Sequence, residues 1–92
     1  MEYDDITCHI LFSLHRKGYY GTKHTPVVYI CKRLPQYSCK KVKHRIKRLI
    51  QNGLLTPYPT KHGLDVKINI HKAIVVKRII KPLEDEFKLF DE

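Results

Sequence analysis

The segment from Ser38 to Gly53 constrains the fold more than any other part of the sequence. Its apolar residues recur every three or four positions, which predicts an amphipathic α-helix with one buried stripe. Ser38 is a favourable N-cap residue, and Gly53 is a favourable C-terminal stop. The residues of the stripe are Cys39, Val42, Ile46, Leu49 and Ile50. The rest of the chain must therefore supply a core on which this helix packs.

Outside that stripe the predicted helix is basic or polar throughout. No acid occurs in it, and its Lys and Arg residues are Lys40, Lys41, Lys43, Arg45, Lys47 and Arg48. A solvated helix usually alternates the signs of its charges, because each i,i+4 ion pair stabilises it by about 0.2–0.5 kcal/mol. The lack of such pairs favours a surface that binds a polyanion over one that only meets water.

The whole chain shows the same excess of basic over acidic residues. The 92 residues include 18 Lys or Arg and 9 Asp or Glu, which gives a formal net charge of +9. All the basic residues except Lys88 lie between residues 6 and 83, where Asp65 is the only acid. Such an excess of one sign predicts a polyanionic partner, and nucleic acid is favoured over an anionic membrane surface.

Length and composition exclude several classes of protein. A chain this short forms one small core and leaves little material for the walls of a substrate pocket. It has no apolar run of about 20 residues, the length that spans a bilayer. Its first residues are acidic, unlike those of a signal peptide. We therefore expect a cytoplasmic protein that does not associate with a membrane.

The cysteine and histidine spacings indicate neither a disulfide framework nor a metal centre. The three cysteines are an odd number without framework spacing, so we expect free thiols. No paired C-x-x-C element is present to bind zinc. The sequence also lacks a nucleophile–base–acid set and a glycine-rich phosphate loop. We expect no metal, no cofactor and no enzymatic activity.

Two further helices are predicted before residue 38. The first begins at Asp4 or Asp5 and ends near Lys17, ahead of Gly18. The second begins at Thr25-Pro26, with Thr25 as its cap, and is ended by Pro35 after about nine residues.

The residues after Gly53 predict a β-hairpin and a fourth helix. One strand covers residues 54–58, where Pro57 and Pro59 require a short or edge strand. The other covers residues 64–70, where alternation predicts that Asp65 and Lys67 face outward. Residues 71–81 favour a helix that stops at Pro82, with a strand as the alternative because β-branched residues are frequent there.

The predicted fold is therefore mainly α with a small antiparallel β-hairpin, which is an α+β class. Residues 4–70 form a three-helix core and a hairpin, and residues 71–92 form a C-terminal helix and an acidic tail. The order of these elements is that of a winged helix-turn-helix domain. The pattern Ser38-x-x-x-Val42-x-x-x-Ile46-x-x-Leu49-x-x-x-Gly53-Leu54-Leu55 resembles the recognition helix of bacterial and archaeal winged-helix transcription regulators, the MarR- and ArsR-like groups among them.

The resemblance implies that helix 38–52 lies in the major groove of double-stranded DNA and that hairpin 54–70 acts as a wing. The direction opposite the apolar stripe falls at four candidates for base contacts: Lys40, His44, Lys47 and Gln51. Candidates for phosphate contacts flank them or lie at the hairpin tip: Ser38, Lys41, Lys43, Arg48, Lys61 and His62. Additional backbone contacts are predicted for Tyr29, Lys32, Arg33 and Lys67.

Regulators of this kind bind DNA as dimers because two half-sites multiply specificity. We expect a homodimer formed by apolar residues of helix 1 and the C-terminal helix: Phe12, Val75, Val76, Ile79, Ile80 and Leu83. Two other functions stay open. The basic face would also suit an RNA-binding or ribosome-associated winged helix, or a module that binds an acidic protein.

Overall fold

The computed structural model describes residues 3–91, and the side chains of residues 3–89. Within that range the chain forms four α-helices and a small antiparallel sheet. The elements in chain order are α1 (Asp5–Arg16), β1 (Thr25–Pro26), α2 (Val27–Arg33), α3 (Cys39–Gln51), β2 (Leu55–Thr60), β3 (Gly63–Ile68), a 3₁₀ turn (Ile70–Lys72) and α4 (Ala73–Asp91). The predicted α+β class is confirmed.

Helices α1 and α3 begin and end where the sequence predicts. The Asp4 carboxylate accepts a hydrogen bond from the backbone N–H of Thr7 at 2.9 Å, which caps α1. The Ser38 hydroxyl oxygen accepts from the backbone N–H of Lys41 at 3.2 Å, which caps α3. After α3 the chain reverses through Gly53, whose φ of +79° is one that side chains rarely adopt.

The start of α2 differs from its prediction. Thr25 is not a helix cap, because it lies in β1 and pairs with Val66 of β3. The helix therefore starts at Val27 and has only seven residues. The sequence could not indicate this two-residue strand, because alternation over two positions carries no signal.

The sheet has the strand order β1–β3–β2, so β2 lies at an edge. This confirms the position that Pro57 and Pro59 require, since neither residue can donate a ladder hydrogen bond. The hairpin is in register from Leu55 opposite Ile68 to Thr60 opposite Gly63. Val66 and Ile68 point into the core, as the alternation predicts.

Asp65 lies on the face of β3 opposite Val66, as the alternation predicts, but it is buried there and not exposed. Asp65 is only 8% exposed, whereas Leu64, which the alternation places on the same face as Val66, is 40% exposed. Asp65 is held inside by a hydrogen bond with His24, whose Nδ1 lies 2.6 Å from Oδ2 of Asp65. A buried carboxylate with a partner of this kind avoids the cost of an unpaired buried charge.

Helix α4 runs without interruption from Ala73 to Asp91, so Pro82 does not end it. Pro82 is exposed, and water can therefore reach the carbonyl group that its missing N–H leaves without a partner. Val76 and Ile80 of α4 are fully buried in the same core as α1 to α3. The boundary predicted at residue 70 therefore does not separate two cores.

One core of fifteen buried apolar residues holds these elements together. It consists of Ile10, Leu11, Leu14, Val27, Ile30, Leu34, Val42, Ile46, Leu49, Leu54, Leu55, Val66, Ile68, Val76 and Ile80. Helix α3 contributes Val42, Ile46 and Leu49 to it, so its opposite face is turned to solvent. No helix within residues 3–91 has the length and apolar character needed to cross a membrane.

The prediction of free thiols is wrong for two of the three cysteines. Cys31 of α2 and Cys39 of α3 form a disulfide, with their Cα atoms 5.1 Å apart. Cys8 of α1 is the free cysteine and is half-buried. The prediction failed because the pairing depends on the tight turn between α2 and α3, which spacing alone does not indicate.

Candidate nucleic-acid interface

The solvent face of α3 carries five exposed basic side chains, those of Lys40, Lys41, Lys43, Lys47 and Arg48. None of them forms an ion pair with another residue in the part of the chain that the structure describes. The positive charge of this face is therefore uncompensated, and it lies on a rigid element anchored in the core.

The sixth basic residue of α3, Arg45, has a structural role instead. Its Nε lies 2.6 Å from Oδ2 of Asp4, the N-cap residue of α1. This pair ties the flank of α3 to the start of α1, and Arg45 is accordingly half-buried. Partial burial on its own raises the pKa of Asp4, but hydrogen bonds from Thr7 and the charge and hydrogen bond of Arg45 lower that pKa to about 2.

The low pKa of Asp4 predicts a loss of stability in acid. The folded protein holds this carboxyl at about 2, below its ordinary value of 3.8, so the unfolded chain takes up the proton first. The stabilisation is complete above pH 4 and declines as pH falls toward 2. We expect Asp4→Asn, which keeps a capping side chain, to make urea unfolding less sensitive to pH between 4 and 2. Asp5→Asn is the control and should unfold like the parent, and an equal effect of both variants would contradict the assignment.

The four residues predicted to contact bases lie in one exposed row on α3. Lys40, His44, Lys47 and Gln51 are all exposed, and they extend over about 16 Å at 1.5 Å per residue. An α-helix with its side chains is about 10–12 Å in diameter, which fits the major groove of about 12 Å width. His44 also lies against Arg45, with Nδ1 of His44 and Nη1 of Arg45 separated by 3.0 Å.

The N-terminus of α3 presents backbone N–H groups to solvent. The Ser38 side chain is occupied in capping the N–H of Lys41, so an anion at this end would meet the amides of the first turn. Ser38, Cys39 and Lys40 are all exposed. The predicted phosphate site at Ser38 is therefore accessible.

The predicted wing residues Lys61 and His62 form the exposed two-residue turn of the hairpin. The Thr60 hydroxyl group donates to the carbonyl of Gly63 at 3.0 Å and accepts from the N–H of His62 at 3.2 Å. These bonds fix the conformation of the turn. Both side chains extend from a supported position and not from a loose loop.

An open cleft of about 990 Å³ separates α3 from the hairpin. Its rim carries Lys43, Lys47 and Gln51 of α3 and His62 of the hairpin. Apolar side chains form much of its floor: Val27, Val28, Ile46, Ile50 and Leu64. The fold thus brings Lys43, Lys47 and Gln51 of α3 together with His62 of the hairpin along one side of α3. Arg48 lies on the opposite flank, beside Tyr3, Asp4 and Arg45.

A group of side chains that the sequence did not predict supports the hairpin. His24 lies in the loop before β1, and its ring stacks on Tyr58 of β2 with 4.3 Å between the ring centroids. The same ring is bonded to Asp65 of β3. His24 thereby links both strands of the hairpin to the loop before α2. The isolated acid Asp65 was the one sequence signal for this contact, and its partner His24 lies 41 residues away in the chain.

Two residues predicted to contact the DNA backbone are engaged inside the protein. The Arg33 guanidinium donates to the Tyr19 hydroxyl group at 3.1 Å and to Thr25 Oγ1 at 3.2 Å. The Lys67 ammonium donates to the carbonyl of Gly21. Both predictions are corrected, because these side chains stabilise loop 18–24 and the sheet. Lys32 and Tyr29 are exposed and stay available, with the ammonium of Lys32 5.4 Å from the centre of the Tyr29 ring.

The predicted dimer surface is largely covered within one chain. Val76 and Ile80 are wholly buried in the core, so the prediction that they contact a second subunit is wrong. Phe12 packs edge to face on Phe87 of α4, with ring centroids 6.0 Å apart. Val75 is 39% exposed, and Ile79 and Leu83 are half-buried. The dimer prediction failed for these residues because α4 has apolar residues on more than one side. The sequence alone did not show which side packs against α1.

Within residues 3–91 the structure contains no group of three or more His, Cys, Asp or Glu side chains arranged to hold a metal ion. No protein-family model matches the sequence, and a comparison with curated proteins finds no significant relative.

Proposed function

We propose that this protein is a winged helix-turn-helix DNA-binding protein that regulates transcription in the cytoplasm of a prokaryotic cell. In this proposal α3 enters the major groove and the hairpin tip contacts the adjacent backbone. The observation that carries the proposal is the row of uncompensated cations on α3. Five basic side chains project from one rigid helix, and none has a carboxylate partner among the described residues.

The architecture around α3 supports this proposal. Helices α2 and α3 are joined by a tight turn that contains Pro35, and the hairpin follows α3 directly. Lys61 and His62 at the hairpin tip share one side of the molecule with Lys43 and Lys47 of α3, because His62 and these lysines line the same cleft. A surface with a protruding helix and a second basic contact is suited to two neighbouring strands of the phosphate backbone.

Duplex DNA fits this surface better than duplex RNA does. The major groove of B-form DNA admits an α-helix, whereas the A-form major groove of RNA is too narrow and deep for side chains to read. The cations of α3 lie on the solvent face of a helix, which is the shape that the B-form major groove admits. RNA therefore serves as the competing ligand in the test.

The test is an electrophoretic mobility shift assay at several salt concentrations, with duplex DNA and structured RNA of equal length. We expect DNA to be retarded at lower protein concentration than RNA. The logarithm of the association constant should fall linearly with the logarithm of salt concentration, by about 0.9 for each phosphate neutralised. Preferential binding of RNA, or affinity that is insensitive to salt, would contradict the proposal.

A homodimer remains part of the proposal, confined to the face of α4 that the chain leaves uncovered. Val75 is 39% exposed, and the half-buried Ile79 lies one turn from it at the edge of the core. We expect sedimentation at dimer mass, and we expect Val75→Asp to shift it to monomer mass because a buried, unpaired charge is costly at an interface. Ile74→Asp, at a 69% exposed position on another side of α4, is the matched control. A parent protein of monomer mass would remove the dimer from the proposal.

A further inference from the structure

The disulfide between Cys31 and Cys39 joins α2 to the first residue of α3. We infer that this pair is a thiol–disulfide exchange site, and that its oxidation state sets the affinity of α3 for DNA. The inference rests on the proposed DNA binding. The exchange reaction uses a dithiol reductant as its co-reactant, and its observable product is a protein with two additional thiols.

Access to the bond is uneven between the two sulfur atoms. Cys39 is exposed, whereas Cys31 is half-buried against the core. A thiolate arriving from solvent therefore meets the Cys39 sulfur first. A fully buried structural disulfide would offer no such approach, so its position at the surface distinguishes this bond from an inert cross-link.

The surroundings of Cys39 favour its thiolate. It is the first residue of a thirteen-residue helix, where backbone N–H groups and the helix dipole stabilise negative charge. Lys40 and Lys41 follow it directly, and the first turn of α3 contains no acid. A stabilised thiolate is a good leaving group in thiol exchange.

The reduction of the disulfide proceeds in two exchange steps. A thiolate of the dithiol attacks Sγ of Cys39, the Cys31–Cys39 bond breaks, and Cys31 leaves as a thiolate that takes up a proton. The second thiol of the reductant loses its proton and attacks the reductant's own sulfur atom in the mixed disulfide, and Cys39 leaves as a thiolate. The reductant is oxidised to a cyclic disulfide, and the two electrons that it gives up reduce the protein disulfide.

Reduction changes the part of the molecule that positions α3. The bond closes a short loop, whose eight-residue spacing contains Leu34, Pro35 and the capping residue Ser38. Without the bond, the buried side chain of Leu34 and the Tyr37 hydroxyl group, 3.1 Å from Nδ1 of His9, still attach this segment to the core and to α1, so the protein stays folded. The core of α3 stays in place, but the turn and the N-terminus of α3 gain conformations that do not fit the phosphate backbone.

The third cysteine does not provide the same chemistry. Burial, together with the carboxylates of Asp5 and Asp4, raises the pKa of the Cys8 thiol. Its Sγ lies 3.7 Å from the carbonyl oxygen of Tyr3, to which it donates. Cys8 is therefore a poor nucleophile in this environment, and Cys8→Ser supplies a control that removes a thiol without touching the disulfide.

The experiment measures thiol content and DNA affinity on the same samples. Parent protein, Cys8→Ser and the double variant Cys31→Ser/Cys39→Ser are each prepared oxidised and after treatment with dithiothreitol. Thiols are counted by the mass added by N-ethylmaleimide under denaturing conditions. Affinity for a mixed-sequence DNA duplex is measured by fluorescence anisotropy after removal of the reductant without air, and circular dichroism verifies that each sample is folded.

We expect the parent to show one thiol when oxidised and three when reduced. Its Kd should rise about tenfold on reduction, which corresponds to a binding-competent fraction of about one tenth. Cys8→Ser should keep this response. The double serine variant should bind in both conditions like the reduced parent.

Three outcomes would overturn the inference. Three thiols in the oxidised parent would show that the bond does not form. Equal Kd values for the oxidised and reduced parent would show that the bond does not control DNA binding. A change in thiol count without DNA binding in either state would refute the proposed function and the control of affinity with it, while leaving the exchange chemistry established.

Discussion

Replacing Lys40, Lys43 and Lys47 together by alanine should weaken DNA binding by about 100-fold. Each lysine lost removes roughly 1 kcal/mol or more of interaction with the nucleic acid, and 1.4 kcal/mol corresponds to a factor of ten in affinity. All three side chains are exposed on α3 and point away from the core, so the fold should persist. The salt dependence should also flatten, by up to about 2.7 log units per log unit of salt.

The control for this variant removes the same charge elsewhere. Lys72, Lys77 and Arg78 are exposed near the start of α4, on another part of the surface. Their triple alanine variant has the same net charge as the α3 variant, so it reports how much of the effect is due to total charge alone. We expect its affinity to fall much less. An equal loss in both variants would mean that binding depends on net charge and not on α3.

Leu49→Ala should destabilise the protein by about 2–5 kcal/mol. Leu49 is 1% exposed and lies in the stripe that attaches α3 to the core, so truncation removes buried area and leaves a cavity. Domains of this size are stable by about 5–15 kcal/mol in total, and this variant can therefore lose a large part of its stability. Urea unfolding followed by circular dichroism measures the change.

Leu89→Ala is the matched control for that substitution. Leu89 is 72% exposed on α4, and the same truncation there should change stability by less than about 0.5 kcal/mol. If Leu89→Ala were as destabilising as Leu49→Ala, the described core would not be the one that holds the molecule together. A small effect of Leu49→Ala would contradict the packing of α3 itself.

The helices with one-sided apolar patterns were predictable, because local signals agreed with tertiary packing. Asp4, Ser38 and Gly53 mark the boundaries of α1 and α3 through short-range hydrogen bonds and backbone conformation. The edge position of β2 also followed from local chemistry, since its prolines have no backbone N–H to donate to a neighbouring strand. These features depend on residues only a few positions apart.

Features that depend on distant partners were not predictable in this way. Strand β1 exists because Thr25 meets Val66 across the sheet, and Asp65 is buried because it meets His24. Helix α4 continues past Pro82, a breaker by local criteria, while its Val76 and Ile80 pack in the core. In each case tertiary contacts outweighed the local preference.

The candidate interface shows the same difference between local signals and distant contacts. The five basic residues of α3 predicted to contact DNA are exposed, because helical periodicity determines the solvent face of a helix whose other face is apolar. Arg33 and Lys67 were predicted to contact the DNA backbone, but they bond to Tyr19 and to the carbonyl of Gly21 instead. Charge alone did not distinguish a cation that faces solvent from one that stabilises a loop.

The central claim, that α3 and the hairpin tip form the DNA-binding surface, is tested most directly by nuclear magnetic resonance. The backbone amide signals of the labelled protein are recorded while duplex DNA is added. We predict that the largest shifts occur at residues 38–51 and at Lys61 and His62, with small shifts at Lys77 and Arg78 of α4. Shifts concentrated on α4, with α3 unchanged, would contradict this account.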